Sequence, residues 1–393
     1  MEKIEGVKDE SFRKRLLGAS EGENLLGCLQ CGTCTGSCPN KFAWGLTPRH
    51  IIRLIQLGMK EKILNPEVLY YCTQCYSCIE RCPMKLKPTE IMMLIRRVAF
   101  EMKLPLLAPH LTIVTSLEDY DNPYAQPRNR RDRWAKKLNI KNLEKGRAKV
   151  LYYPGCTAAY NQRFNKVAIA TAMILSQTGV DFGILGNNER CCGSTALRIG
   201  NRSLYEKLAF DNINTFNHLG IDTLITACAG CYGVIKKEYP KILPLEFEVL
   251  HVSEYIEQFI NQGKFNFHPV ELEVTYHDPC HLGRHGGVYD PPRRVLESIP
   301  GIKLVEMNRI RNNSRCCGAG GGVKSGHADS ALSMAQERLE EAMSTGAKSL
   351  VSCCPFCEAN IGDAVGEEPE INVYDLTEVV VMSLFDAGSR DIS

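Results

Sequence analysis

Thr223-Leu224-Ile225-Thr226-Ala227-Cys228-Ala229-Gly230-Cys231 and Ser349-Leu350-Val351-Ser352-Cys353-Cys354-Pro355-Phe356-Cys357 are two copies of one design. In each, a short apolar run reads as a buried strand and leads straight into a Cys-x2-Cys pair. Working backwards, each strand follows a helical stretch, Leu204–Leu219 or Ser330–Thr345, with Gly220 or Gly346 placed as its C-cap. Before each helix stands Cys191-Cys192-Gly193 or Cys316-Cys317-Gly318. Further back, a strand-like run, Lys149–Tyr153 or Leu272–Tyr276, leads to Cys156 or Cys280. Each cysteine of the second set lies 124–126 residues after its counterpart, so the chain contains an internal duplication. Strands alternating with helices imply parallel α/β units. Cysteines at the carboxyl ends of strands lie where open α/β sheets bind ligands. The alignment makes Cys354 the counterpart of Cys228. Cys353 takes the place of Ala227 and is read as a supporting or spare thiol.

The amino-terminal part carries a different pattern, Cys28-x2-Cys31-x2-Cys34-x3-Cys38-Pro39, repeated as Cys72-x2-Cys75-x2-Cys78-x3-Cys82-Pro83. This spacing wraps thiolates around a [4Fe–4S] cubane, with the fourth cysteine serving the other cluster. One cubane is therefore assigned to Cys28, Cys31, Cys34 and Cys82, and the other to Cys72, Cys75, Cys78 and Cys38. Zinc explains a lone Cys-x2-Cys pair but not these runs, because a tetrahedral site takes four ligands from two pairs. Disulfides fit poorly, since the 19 cysteines are an odd number in a chain of 393 residues that opens on no secretory segment. Between and after the runs, Pro48–Gly58 and Pro88–Met102 show apolar residues at helical spacing. The expected fold class is thus an α+β multidomain chain: an all-α two-cluster ferredoxin-like domain followed by two duplicated α/β modules. The boundaries read as 1–102, a linker over 103–148, a first module over 149–268 and a second over 269–393. The linker reading rests on Pro123, Pro127 and a basic run from Arg128 to Lys137, taken as a solvated face or a docking surface.

Charge narrows the options. Forty-seven basic residues against 45 acidic ones lack the excess expected of a nucleic-acid binder. No apolar stretch reaches the roughly 18 residues that span a bilayer. A cytoplasmic chain is expected, with peripheral attachment to the membrane through a partner as the alternative.

The repeated Cys…CysCysGly…CysxxCys pattern, preceded by a two-cluster ferredoxin segment, resembles the CCG-domain family and, within it, the D-type subunits of heterodisulfide reductase. The likeness extends from about residue 25 to the C-terminus. It includes Gln30-Cys31-Gly32-Thr33-Cys34, Tyr71-Cys72-Thr73-Gln74-Cys75-Tyr76-Ser77-Cys78, Tyr276-His277-Asp278-Pro279-Cys280-His281-Leu282-Gly283-Arg284 and Cys316-Cys317-Gly318-Ala319-Gly320-Gly321-Gly322. The resemblance implies a noncubane [4Fe–4S] cluster on Cys156, Cys191, Cys192, Cys228 and Cys231, and a second on Cys280, Cys316, Cys317, Cys354 and Cys357. Zinc in the first set is the alternative. It also implies electron flow through the two cubanes to the noncubane pair, which reduces a small disulfide of the CoM-S-S-CoB type to two thiols. Other redox subunits, flavin-containing or b-type cytochrome, would supply the electrons.

Five thiolates exceed what a cubane needs, so a displaceable ligand position is expected at each set. Two such sites facing one another could each take one sulfur of a disulfide and supply one electron. His281 and His277, which flank Cys280, are the candidate proton donors. Gly318 to Gly322 is read as a backbone approach to cluster or substrate. Arg190, Arg198, Arg284, Arg315 and Lys324 are candidates for holding acidic groups of a substrate. The competing reading is an electron-transfer subunit of another complex that makes no bond itself. Such complexes include an aromatic acyl-CoA reductase, a sulfite-reduction membrane complex and a glycolate or lactate oxidase.

Overall fold

A computed structural model describes residues 8–41, 43, 45–366 and 370–385. Its strands form two all-parallel sheets, both in the carboxy-terminal two thirds of the chain. The first contains β1 (Lys141–Asn142), β2 (Val150–Tyr152), β3 (Phe182–Ile184), β4 (Thr223–Thr226) and β5 (Glu248–His251), in the order β1-β3-β2-β4-β5. The second contains β6 (Leu272–Tyr276), β7 (Ile302–Leu304), β8 (Ser349–Ser352) and β9 (Asn372–Asp375), in the order β7-β6-β8-β9. Without β1 the two orders are the same, and so are the registers. Thr226 pairs with His251 where Ser352 pairs with Asp375. Strand β8 is buried along its whole length and β4 along all but its first residue. That is the pattern of parallel strands covered on both faces.

Each central strand ends at its cysteine for a local reason. Cys228 and Cys354 have extended backbone and occupy the N-cap positions of Ala229–Lys237 and Pro355–Ala364. Cys231 and Cys357 follow within the first turn, so both pairs of sulfurs lie at helix N-termini, where unpaired N–H groups favour thiolates. The helix Arg202–Leu219 ends on Gly220 with φ of 62°, the left-handed C-cap that stops a helix.

Among the described residues up to Glu101, every regular element is a helix or a 3-10 turn. The Pro88–Glu101 helix buries Ile91, Leu94, Ile95 and Val98. No described helix is long and apolar enough to cross a membrane.

Residues 103–148, expected as a linker, are built into the fold. They carry the helix Ala108–Tyr120 and strand β1, which adds to the sheet edge through Lys141↔Gly183. Trp134 packs edge-on against Tyr152 at 5.8 Å. Arg131, read as part of a solvated basic run, is 1% exposed and ion-paired with Glu189. Counting charges misleads here because this arginine neutralises a buried carboxylate.

The glycine run has two uses. Gly318 N–H donates to Cys316 Sγ at 3.4 Å, a backbone approach to the second five-cysteine set. A Cβ on Gly321 (φ +65°) would lie 2.3 Å from the Cys72 carbonyl oxygen, and one on Gly320 would lie 2.7 Å from that of Thr73. One on Gly322 would meet His110 Nε2 at 2.8 Å. These three glycines therefore admit the backbone of the second ferredoxin-type loop and the Ala108–Tyr120 helix.

Candidate iron–sulfur centre

The two amino-terminal runs share one backbone device. Gln30 and Gln74 both take φ of 55°, and Gly32 and Tyr76 take 82° and 66°. These left-handed residues between cysteines turn successive thiols towards one interior point. Cys34 is grouped with Cys28 and Cys82 across the two runs, its thiol pushed up by burial and then by these neighbours. Cys38 lies with Cys72, Cys75 and Cys78, and burial, followed by Cys75 and Cys72, pushes it well up. The fourth cysteine of each run thus stands beside the first three of the other. Cys31 is exposed, whereas Cys34, Cys75 and Cys78 are buried.

In the first module, the Cys156, Cys191, Cys192, Cys231 and Cys228 thiols form one chain of neighbours in that order. In the second, Cys280, Cys316, Cys317, Cys357 and Cys354 do the same. The link from Cys317 Sγ to Cys357 Sγ is 3.3 Å. All ten thiols are buried. Hydrogen bonding to a neighbouring thiol and loss of water push Cys156, Cys280 and Cys357 well above the ordinary thiol range. Five buried sulfurs cannot all ionise without a multiply charged soft cation among them. These donor sets suit iron–sulfur ligation.

The four groups are also neighbours in succession. The charge of Cys34 in the first run reaches Cys78 of the second. Cys75 lies beside Cys316, and Cys354 beside Cys228. An ordered series of thiols thus leads from the amino-terminal runs through the second module to the first.

The histidines fall beside this line, but not as expected. His277 is buried, and its Nδ1 accepts a hydrogen bond from Arg338 Nε at 3.1 Å. One of its nitrogens and the sulfurs of Cys317 and Cys357 lie within 4.8 Å of one another. His281 leaves its own module and rests on the first one, its Nδ1 3.7 Å from where a Cβ on Gly230 would be. Burial pushes both imidazoles down to about 3, helped at His277 by Arg338 and at His281 by Arg198 and Arg284. At neutral pH each carries one N–H that can donate, not the extra proton of an imidazolium. His285 is held by its Nε2 hydrogen bond to the Gln74 carbonyl (2.9 Å) and by stacking on Tyr76.

Most of the candidate cations are engaged elsewhere. Arg284 donates to the carbonyls of Cys75, Asn312 and Ser314. Arg198 Nη1 reaches Gln74 Oε1 and Met93 sulfur, Arg190 pairs with Asp121, and Lys324 pairs with Asp363. Arg315 pairs with Glu337. Cys353 stays outside the second chain of thiols and is hydrogen-bonded to Tyr276.

Three features escaped the sequence. Arg131 Nη1 reaches Cys156 Sγ at 3.4 Å. Glu358 and Asp375 form a buried carboxyl pair: burial and then the Asp375 charge push Glu358 well up, and burial pushes Asp375 up to about 6. His251 Nε2 lies 3.2 Å from the carbonyls of both Ala227 and Cys353. No spacing rule announces any of them. Only the equivalent places of His251 and Asp375, each just before a helix whose third residue is Glu, could have been read.

Two family models match the chain. A cysteine-rich domain covers residues 150–236 and 274–362, and a 4Fe-4S dicluster domain covers 24–86. The D-type subunit of dihydromethanophenazine:CoB–CoM heterodisulfide reductase from Methanosarcina mazei is 36% identical over 96% of this chain and 98% of its own. EtfAB:quinone oxidoreductase of Syntrophomonas wolfei is 31% identical over 96% of this chain but 60% of its own. A hypothetical protein from Helicobacter pylori has a solved structure that superposes with a TM-score of 0.63 at 11% identity. It covers 96% of this chain and 75% of that one, a likeness of fold alone.

Proposed function

The chain belongs to the family of D-type heterodisulfide reductase subunits, which are iron–sulfur redox proteins, and on that footing we propose that it is the disulfide-reducing component of a larger complex. In this reading, residues up to 102 are an all-α ferredoxin-like unit with two [4Fe–4S] cubanes, on Cys28, Cys31, Cys34 and Cys82 and on Cys72, Cys75, Cys78 and Cys38. The modules over 149–268 and 269–393 each hold a noncubane cluster on their five cysteines. The clusters supply one-electron steps, and two of them side by side match the balance of R–S–S–R′ + 2e⁻ + 2H⁺ → RSH + R′SH. The observation that carries the proposal is the meeting of the two five-cysteine sets at Cys228 and Cys354.

The chain's own residues do the rest. Arg131 sets a fixed positive charge against Cys156. Arg284 ties Cys75 to the loop before Cys316, which keeps the junction between wire and site rigid. His277 and His281 keep Nε2 groups that are buried and unpartnered among the protein's own atoms, each available as a hydrogen-bond donor at the site. The electrons come from a flavin-containing or cytochrome subunit of the complex, in the cytoplasm or at the membrane surface.

A second reading has support of its own. The match to EtfAB:quinone oxidoreductase spans 96% of this chain, so the same line of sulfur could serve as a conduit to another protein. Anaerobic EPR of the oxidised holoprotein, with and without coenzyme M and coenzyme B, separates the two. A paramagnetic signal that appears only with thiol supports disulfide chemistry. Unchanged spectra from a preparation with full iron and no zinc overturn it in favour of the conduit.

A further inference from the structure

One cavity is walled by charge. It has a volume of about 250 Å³ and opens where the two ferredoxin-type runs meet the loop before Cys316, with Cys38 and Cys316 in its wall. Lys41 and Arg81 face it from the amino-terminal side, Arg309 and Arg315 from the second module. Among the described residues that line it there is no carboxylate.

The arginines are held from outside the cavity lining, which itself supplies neutral partners. Arg81 is held by Asn313 Oδ1, a neutral acceptor. Arg315 reaches back to Glu337, and its Nε is buried without a partner. Three guanidiniums lining one small space are stabilised by an anion that accepts from all three. The volume lies below the roughly 300–1,000 Å³ of pockets that enclose whole ligands. It suits one tetrahedral oxyanion with its waters, or the acidic end of a longer molecule.

We propose that this cavity is an oxyanion-binding site that takes a phosphate-class group between Arg81, Arg309 and Arg315, beside the second five-cysteine set. The anion has two sources: free phosphate, or the acidic end of the substrate. Only the second source rests on the disulfide-reducing function proposed above.

The test uses the full-length holoprotein in chloride buffers and titrates inorganic phosphate by calorimetry. The expected result is saturable binding with a Kd on the order of 1 mM. The double substitution Arg81→Gln/Arg309→Gln should weaken it about tenfold or more at unchanged iron content. Arg309→Lys, which keeps the charge, should recover part of the loss. No saturable binding, or equal binding by the double variant with its clusters intact, overturns the site. The source is read from steady-state kinetics with a phosphorylated disulfide and an uncharged analogue. If the substrate's tail occupies the cavity, phosphate competes with the phosphorylated disulfide, and the double substitution raises the KM ratio of charged to uncharged substrate about tenfold. If free phosphate occupies it, that ratio does not move while phosphate binding is lost. Phosphate binding without turnover of either disulfide keeps the site and removes the reductase reading.

Discussion

Replacing Arg96 should loosen the joint between the ferredoxin-type segment and both cysteine-rich modules. This arginine lies on the Pro88–Glu101 helix and is fully buried. Its guanidinium donates to Leu69 O (2.6 and 3.0 Å), Cys72 O (2.9 Å), Arg198 O (2.8 Å) and Gly321 O (2.6 Å). Leu69 and Cys72 belong to the amino-terminal segment, Arg198 to the first module and Gly321 to the second. One planar cation thus satisfies carbonyls from all three, with the Tyr70 ring 4.7 Å away on its face.

Arg96→Met keeps the apolar stem and removes every donor. An acceptor stranded in the interior costs about 1–3 kcal/mol, and three are left behind, since Arg198 O keeps its hydrogen bond from Gln74 Nε2 at 3.0 Å. Water entry recovers part of this, and removal of the guanidinium relieves its desolvation. The expected net loss is about 4 kcal/mol, nearer the lower end of the sum. Anaerobic urea unfolding, followed by cluster absorbance and far-UV circular dichroism, measures it. Arg96→Lys can reach only some of the carbonyls and should fall between wild type and Met. Rapid reduction by dithionite adds a functional readout, because Cys72 and Gly321 flank the Cys75–Cys316 junction. Transfer beyond the cubanes should slow in Arg96→Met. A loss below about 1 kcal/mol at full iron content would show that the carbonyls find other donors and that the joint lies elsewhere.

Gly321→Ala should destabilise the holoprotein by about 3 kcal/mol or more, because its Cβ would sit 2.3 Å from Cys72 O on a left-handed backbone; an unchanged urea midpoint would contradict this packing. Cys353→Ala should leave the iron content unchanged whereas Cys354→Ala lowers it, since only Cys354 joins the chain of five thiols; equal iron loss in both would place Cys353 among the ligands. His251 is held neutral, burial pushing it down to about 4 from 6.5, so its stabilising effect is complete above pH 6.5 and is lost as pH falls towards 4. Between pH 7.5 and 5, wild type should therefore lose about 2 kcal/mol more than His251→Gln, and parallel losses in unfolding free energy would refute the assignment.

What could be read from sequence was what is local. The spacing of Cys28, Cys31 and Cys34, and the strand that runs into Cys228 or Cys354, are decided within ten residues of chain. Duplication then made the two modules legible as one design, including the shift that leaves Cys353 unmatched. Strands β3 and β7 have three residues each, too few to show a period. β5 and β9 have four residues each and lead into no cysteine motif that would mark them, although they lie at an edge of each sheet. Arg284 and Arg131 were misread because composition cannot tell a solvated guanidinium from one that satisfies carbonyls, as Arg284 does, or a buried carboxylate, as Arg131 does. The histidines were legible only in part for a related reason. Adjacency to Cys280 was legible, but the burial that holds His277 and His281 neutral comes from packing between distant segments.

The duplication is also where the likeness must fail. Ala227 and Cys353 are equivalent positions, and their carbonyls point at the same His251 Nε2, 3.2 Å from each. One N–H of the first module thus serves both halves. The counterpart of His251 in the second module, Asp375, does not repeat the contact; it accepts instead from Thr377 Oγ1 at 2.5 Å and lies beside Glu358. The thiols match one for one, but what surrounds them does not: the first set has the Arg131 guanidinium at Cys156, and the second has a buried carboxyl pair behind Cys354. Two identical halves joined face to face would be forced into this division of roles at their contact, because one hydrogen cannot be supplied from both sides.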